Sequence, residues 1–288
     1  MSYTPLQLAE AFIQAGELAD ALDALNTHLA AEPADDGARR LRAAVRLRLA
    51  TVDDLHAALA DLDSLTEAQP HDAITRSAVL ERLGDIPAAL DTLRRAHGDA
   101  PDDDRLAERL LQLLRAAGHL ADARALAQAR ADADLDDWRW ATWAGDLAAA
   151  LDDPAAAEAH YTRALATLAS RYAIDTTRPA RLLHDEGVSD AAALAVEGAY
   201  GRLLLARSRC LTALDRRAAA AADLDTAAAM LPDDPAIPFQ RGLLAVHEGD
   251  AEAGRALVEQ AFAMASPAYA EHLRADAAFL ALRDQLGW

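Results

Sequence analysis

Cysteine, lysine, asparagine and aromatic residues are scarce in this chain of 288 residues. Aromatic side chains make up only 5% of it, and no alternating run of β-branched and aromatic residues stands between turn residues, so no sheet is predicted. The single cysteine, Cys210, excludes an internal disulfide and is typical of a reducing compartment. No stretch of about 18 apolar residues occurs, and no membrane span is predicted.

All 28 basic residues are arginine, against 47 acidic residues, and the formal net charge is −19. Such a charge argues against binding to nucleic acid or to an anionic membrane. The absence of lysine and the single asparagine, Asn26, indicate a GC-rich coding sequence of a bacterial kind. The first residues show no basic segment followed by an apolar core, so we predict no signal peptide and expect a cytoplasmic location.

Sequence motifs of catalysis are missing as well. There is no glycine-rich phosphate loop, no His-Glu-x-x-His, no pair of cysteines and no nucleophile elbow. The run His184-Asp185-Glu186 holds metal-ligand types, but adjacent residues point in different directions and rarely share one ion. Cys210 is predicted to be a buried, inert thiol. We therefore predict no enzyme activity, no cofactor and no metal.

A period of about 34 residues runs through the chain. Small or acidic residues mark seven helix–helix turns at successive intervals of 37, 31, 34, 34, 63 and 34, namely Gly16, Asp53, Gly84, Gly118, Asp152, Asp215 and Gly249. Five positions after each stands a small residue, where two antiparallel helices cross closely, namely Ala21, Ala58, Ala89, Ala123, Ala157, Ala220 and Gly254. Prolines that cannot extend a helix end several second helices, namely Pro33, Pro70, Pro101, Pro232 and Pro267. The pattern predicts an all-α chain of helix–turn–helix repeats.

These positions resemble the tetratricopeptide-repeat (TPR) signature. It is carried by Leu8, Ala9, Phe12, Gly16, Ala21, Leu25 and Pro33 in the first repeat, by Asp152, Ala157, Tyr161 and Ala164 in the fifth, and by Gly242, Gly249, Gly254 and Ala261 in the last. The resemblance implies a right-handed α-solenoid of about seven repeats, with a concave groove lined mainly by the first helix of each repeat. Three arginines, Arg76, Arg207 and Arg241, depart from the family pattern, which prefers an apolar residue at their position.

The whole chain is predicted to be a single TPR-like solenoid. Its repeats are expected at about residues 2–35, 39–69, 70–103, 104–137, 138–172, 201–234 and 235–268. An insertion at about 173–200 either carries recognition or consists of lengthened helices joined by a solvated loop. The C-terminal residues 269–288 are predicted to form one amphipathic helix that caps the solenoid.

Arginine recurs along the first helices, in a protein that is strongly acidic overall. It stands at groove positions more often than its frequency in the chain predicts, at Arg40, Arg82, Arg105, Arg109, Arg115, Arg139, Arg202 and Arg209. A groove lined by arginine would attract an acidic peptide or a free carboxylate. The alternative is that these arginines form ion pairs with acidic residues of neighbouring helices.

Three of the four tryptophans lie within six residues, at Trp138, Trp140 and Trp143. Successive helix positions are about 100° apart, so Trp140 and Trp143 share a face and Trp138 lies elsewhere. The cluster either fills the contact between repeats or supplies a binding anchor, for which Trp143 is the best candidate.

These patterns predict a non-enzymatic scaffold that binds a protein or peptide, and no nucleic acid or membrane. One alternative is a self-associating subunit, in which the C-terminal helix or the tryptophan-rich repeat packs against a second copy. A more remote alternative is a hydrolase that uses His160, His184 or Asp185.

Overall fold

The computed structural model describes residues 3–172, Ile174 and 190–288, which form sixteen helices and no strand. The first seven are α1 (Pro5–Ala15), α2 (Leu18–Ala31), α3 (Asp36–Leu49), α4 (Val52–Asp63), α5 (Asp72–Arg82), α6 (Ile86–Asp99) and α7 (Asp104–Ala116). The other nine are α8 (Leu120–Ala133), α9 (Trp138–Ala150), α10 (Pro154–Arg171), α11 (Asp190–Ala213), α12 (Arg217–Met230), α13 (Ala236–His247), α14 (Ala251–Met264), α15 (Pro267–Arg274) and α16 (Ala277–Leu282).

The helices belong to two compact units: unit 1, Met1–His119, holds α1 to α7, and unit 2, Leu120–Trp288, holds α8 to α16. Within each unit, first helices pack against their own second helix and against the next first helix, as α3 does with α4 and α5, and α11 with α12 and α13. The predicted fold class, all-α helix–turn–helix repeats followed by a C-terminal cap, is confirmed. The repeat boundaries stay a prediction.

Seven turns between first and second helices share one backbone feature, a residue with positive φ. Six of them are at predicted turn residues, Gly16, Gly84, Gly118, Asp152, Asp215 and Gly249. In the second repeat the prediction that Asp53 is the turn residue is wrong. Ala50 takes the left-handed conformation there, Thr51 caps α4 through its side chain, and Asp53 lies in the first turn of that helix. With Ala50 as the turn residue, the first four intervals are all 34 residues.

The corrected spacing locates the point where paired helices cross. Seven residues before the turn stands a buried small residue in six repeats, Ala9, Ala43, Ser77, Gly145, Ser208 and Gly242. In the last repeat a Cβ on Gly242 would lie 2.7 Å from the carbonyl oxygen of Gly254 and 2.8 Å from Val258 Cγ2. The helices α13 and α14 are therefore in backbone contact, and only glycine fits at that crossing.

The arginines that depart from the family pattern all form ion pairs with aspartates of second helices. Eight residues before the turn, Arg76, Arg207 and Arg241 pair with Asp63, Asp223 and Asp225, with Nη–Oδ distances of 2.6, 2.7 and 2.6 Å. The corrected turn adds Arg42, which bonds to the buried Asp61. Hydrogen bonds from Arg207 to the buried Asp223 outweigh the desolvation of the guanidinium and raise its pKa. These arginines replace apolar contacts by ion pairs.

Two parts of the prediction change beyond the fifth repeat. The insertion at 173–200 lies mostly outside the described residues, but 190–200 are the beginning of α11, which continues without a break to Ala213. The C-terminal segment is two short helices, and the prediction of one helix is wrong. The reason is a second cap, since the Asp276 side chain accepts hydrogen bonds from the backbone N–H groups of Ala278 and Phe279 and starts α16 anew.

The loop between α4 and α5, residues 64–71, is held in place by hydrogen bonds to side chains of α3. Asp36 Oδ2 accepts hydrogen bonds from Thr66 N, Thr66 Oγ1 and Glu67 N at 2.8, 2.6 and 3.0 Å. Arg40 Nε donates to Asp72 Oδ1 at 2.8 Å, at the start of α5. Hydrogen bonds from the Thr66 hydroxyl and the Glu67 amide lower the pKa of Asp36 to about 2.

The lowered pKa makes this attachment sensitive to acid. In the folded state the pKa lies below its ordinary value of 3.8, so the carboxylate's contribution is complete above that value and is lost as the pH falls through about 2. We expect the amide protons of Thr66 and Glu67 to lose exchange protection across this range, after correction for the intrinsic rate. Asp36→Asn should lower their protection already at neutral pH and abolish its change with acid; an unchanged acid profile in that variant would assign the effect to another group.

Candidate protein-interaction surfaces

The first-helix face is the exposed side of the first helices, on which sequence analysis placed the groove arginines. In unit 1, two of these arginines form ion pairs with the next or previous first helix. Arg40 bonds to Asp72, and this hydrogen bond raises the pKa of the guanidinium. Arg109 bonds to Glu81 on α5, with Ser77 Oγ at 3.3 Å from its Nε. These two arginines join adjacent repeats.

Two arginines of unit 2 are also paired. Arg139 donates to Asp137, the N-cap residue of its own helix; burial raises the pKa of that carboxyl, but the bonds from Arg139 outweigh it and the net shift is downward. Arg209, on α11, bonds through Nη2 to Asp276 Oδ2 at 2.7 Å. For four of the predicted groove arginines, the alternative of ion pairing with nearby acidic residues therefore describes what the structure shows.

The remaining four, Arg82, Arg105, Arg115 and Arg202, are exposed and have no carboxylate partner among the described residues. The corrected turn in the second repeat adds Arg48, which is exposed and unpaired within the same described part of the chain. Arg48 is not among the predicted groove arginines because groove positions are counted from the turn residue, which the sequence predicts at Asp53. A turn placed 34 residues from both Gly16 and Gly84 makes Arg48 a groove position.

The arginines Arg48, Arg82 and Arg115 lie in the last turns of α3, α5 and α7. A cation there interacts favourably with the helix dipole, by about 0.3–1 kcal/mol, which explains part of its placement. The first helices of unit 1 also carry half-buried aliphatic side chains, namely Leu6 and Ile13 on α1, Leu41 and Leu47 on α3, and Ile74 on α5. Unit 1 therefore presents unpaired guanidinium groups together with partly exposed aliphatic surface.

The tryptophan cluster is mainly a packing feature of unit 2. Trp140 is fully buried, and Trp143 lies edge-on to it with ring centroids 4.7 Å apart. The guanidinium carbon of Arg130 is 5.7 Å from the Trp140 ring centroid. Trp138 and Trp143 are both half-buried, so each retains some exposed ring surface. The binding role of Trp143 stays a prediction.

Of the titratable groups singled out in the sequence, Cys210 and His160 lie within the described residues. Cys210 is buried, and burial raises the pKa of its thiol to about 11. His184 and Asp185 lie outside the described residues. Burial, with the nearby Arg124 and Arg163, lowers the pKa of His160.

One group of possible metal ligands occurs in the described part of the chain, formed by His28, Glu32 and Asp35. His28 Nε2 lies 2.8 Å from Asp35 Oδ2, and the other oxygen of Asp35 caps α3 by accepting from Ala38 N. His28 and Asp35 therefore already have hydrogen-bond partners, in each other and in the backbone of α3.

No protein-family model and no curated protein matches the sequence. Solved structures do resemble it. The C-terminal part of a TPR repeat-containing protein from Cytophaga hutchinsonii gives a TM-score of 0.62 at 12% identity, covering 96% of this chain and 98% of that chain. The assembly chaperone of RpL4, Acl4, residues 1–338, gives 0.52 at 17% identity over 76% and 84%. MamA gives 0.50 at 12% identity over 68% and 91%. The chain has the tetratricopeptide-repeat fold.

No helix in the described ranges is both long and apolar enough to cross a bilayer.

Proposed function

We propose that the protein is a non-enzymatic scaffold whose unit 1 binds an acidic segment of another protein on its first-helix face. One observation carries this proposal. Unit 1 has five arginines without a carboxylate partner among its described residues, and four of them, Arg48, Arg82, Arg105 and Arg115, stand on first helices; only Arg95 stands on a second helix. The arginines with structural roles are already paired, and four of the five left over lie on first helices.

The chemistry of these side chains defines the ligand. A guanidinium group presents a planar set of donors that matches a carboxylate, so several of them favour glutamate, aspartate or a chain terminus. In a chain with a net charge of −19, positive groups gathered on one face also orient an acidic partner toward that face. The half-buried aliphatic residues on the same helices favour apolar side chains between the carboxylates.

The fold supports the scaffold part of the proposal. Helical-repeat arrays offer extended surfaces, and one structural relative, Acl4, is an assembly chaperone of RpL4. That description applies to Acl4 and does not identify the partner of this chain. A cytoplasmic location and the absence of nucleic-acid and membrane binding remain part of the proposal. Self-association stays an alternative, but the buried apolar residues of the C-terminal helices pack on α13 and α14 of their own chain, and Leu280 is the large aliphatic residue of α16 that stays exposed.

The test uses fluorescent peptides of one length in which leucine alternates with glutamate, glutamine or arginine, titrated into the whole protein and followed by anisotropy. We expect only the glutamate peptide to bind and its affinity to fall with salt. The triple variant Arg48→Glu, Arg82→Glu, Arg115→Glu should bind it at least roughly thirtyfold more weakly, because attraction becomes repulsion at three places.

The matched control is Arg95→Glu, compared with Arg82→Glu. Both add the same charge to unit 1, and only the second is on the first-helix face. Circular dichroism checks that the helices persist in every variant. Equal losses in the two single variants would show that net charge, and no particular face, governs binding, and the proposal would be abandoned.

A further inference from the structure

The C-terminal helices cover a face of the last repeat that is more exposed in the fourth repeat. Phe279, Leu282 and Leu286 are buried in one cluster with Phe239, Leu243 and Val246 of α13. The three α13 residues stand ten, six and three positions before the turn residue Gly249. The same positions before Gly118 are held by Glu108, Gln112 and Arg115, of which Gln112 and Arg115 are exposed. In the last repeat, α16 therefore lies on the first-helix face.

The docked segment has a definite chemistry. Asp276 Oδ1 accepts the N–H groups of Ala278 and Phe279 and so begins α16, while its Oδ2 accepts from Arg209 of α11. One carboxylate thus caps the incoming helix and joins it to the receiving face. Three residues later Phe279 packs near Phe239 and Phe262, with ring centroids 5.9 and 5.8 Å away. Trp288 stacks on Phe262 at 4.9 Å.

The first-helix face of α11 carries a second arginine, Arg202, with which the C-terminal segment forms no ion pair among the described residues. Arg202 lies seven residues before Arg209 on α11, which places the two side chains on the same side of the helix about 10 Å apart along its axis. Arg202 is exposed and has no carboxylate partner in the described residues, and Arg209 is itself 54% exposed. A ligand with a second carboxylate would engage both arginines, whereas the chain's own segment engages one.

The C-terminal segment is too short to form a stable helix by itself. The helix α16 has only six residues, and an isolated helix of that length is not stable in water. Its helical form therefore depends on docking. The helix α15 ends at Arg274 and α16 begins at Ala277, so a backbone change at Ala275 and Asp276 would release the segment while the repeats before it keep their helix pairs.

We propose that the first-helix face of α11 and α13 is a binding site for a short partner helix that begins with aspartate and carries an aromatic residue three positions later and leucine six positions later. The chain's own residues 276–286 occupy this site in the resting protein. A partner with a further carboxylate displaces them by adding a contact to Arg202. The inference concerns unit 2 and does not depend on the ligand proposed for unit 1.

The experiment measures binding of a labelled peptide with the sequence of residues 275–288 to the full chain. The wild type should bind it weakly, because the closed face reduces the apparent affinity by the fraction of molecules that is open. The variant Asp276→Arg releases the resident segment and leaves Arg209 in place, so it should bind the peptide at least about tenfold more tightly. A peptide with the same Asp276→Arg change should not bind that variant, but should bind Arg209→Glu, in which the new glutamate repels the resident Asp276 and pairs with the arginine of the peptide.

Two further measurements complete the test. Asp276→Asn keeps a capping side chain but removes the charge, and it should lower the exchange protection of the Phe279 and Leu280 amides without changing that of α13. A peptide lengthened by an acidic residue at its N-terminus should gain affinity that Arg202→Glu removes. Unchanged peptide binding by Asp276→Arg would overturn the proposal, and so would its conversion into dimers on light scattering, which would make the face a contact between two copies.

Discussion

Gly242→Ala is expected to lower the free energy of unfolding of unit 2 by about 2–3 kcal/mol, although alanine is the better helix former. An added Cβ would stand 2.7 Å from the Gly254 carbonyl oxygen, which belongs to the backbone of α14 and has no rotamer to move. The two helices would have to separate, and the packing of Val258 against α13 would loosen. Thermal unfolding followed by circular dichroism, with hydrogen exchange in α13 and α14, measures the effect.

Gly98→Ala is the matched control. Gly98 lies in α6 and a Cβ there would meet nothing within 4 Å, so the same substitution should raise stability by up to about 1 kcal/mol. The two glycines are thus expected to respond with opposite signs. A gain in stability from Gly242→Ala would mean that α13 and α14 do not cross in backbone contact.

Asp61→Ala is expected to destabilise unit 1 by about 3–5 kcal/mol, because it removes the anion that two largely covered guanidinium groups share. Asp61 is buried; Arg42 Nε lies 3.0 Å and Arg46 Nη1 lies 2.6 Å from its Oδ2. Without the carboxylate, both cations stay partly buried and lose their partner. Urea unfolding gives the loss of stability.

The control for Asp61 stands two residues further along the same helix. Asp63 also pairs with an arginine, Arg76, but its side chain is 65% exposed, and a surface ion pair is worth only about 0–1 kcal/mol. Asp63→Ala should therefore change the unfolding midpoint little. The arrangement recurs in α12, where Asp223 is buried and Asp225 is exposed, and the same contrast is expected there. Equal effects at Asp61 and Asp63 would contradict the view that burial determines the contribution.

Arginine has two roles in this chain, and burial of its partner separates them. Where the carboxylate is buried, as for Arg42 and Arg207, the pair replaces an apolar contact between helices. Where no carboxylate lies near among the described residues, as for Arg48 and Arg82, the side chain is available to the ligand proposed for unit 1. Substitutions of the first kind should affect mainly stability. Those of the second kind should affect mainly binding, with only the small helix-dipole contribution to stability lost.

The helical class and the repeat follow from the sequence by itself, because a small residue is required wherever two helices cross and a helix-ending residue wherever one stops. Gly16, Gly84, Gly118 and Gly249 mark turns since glycine takes a positive φ at little cost. The local pattern of small and acidic residues also allows a turn at Asp53, so the sequence places the turn there and not at Ala50. Ala50 takes positive φ, which is unfavourable for alanine, in a turn that is fixed by the Thr51 cap of α4 and by the packing of α3 on α4.

The partners of the arginines were decided by the tertiary structure. Spacing along the chain predicts that Arg105 and Arg109 share a helix face, but Arg109 meets Glu81 of the preceding first helix and Arg105 meets no carboxylate within the described residues. The bond between Arg209 and Asp276 joins residues 67 positions apart. Local sequence specifies backbone conformation and amphipathic faces through interactions of a few residues. Ion pairs between helices depend on how those helices are rotated and spaced, which the packing of the whole repeat sets.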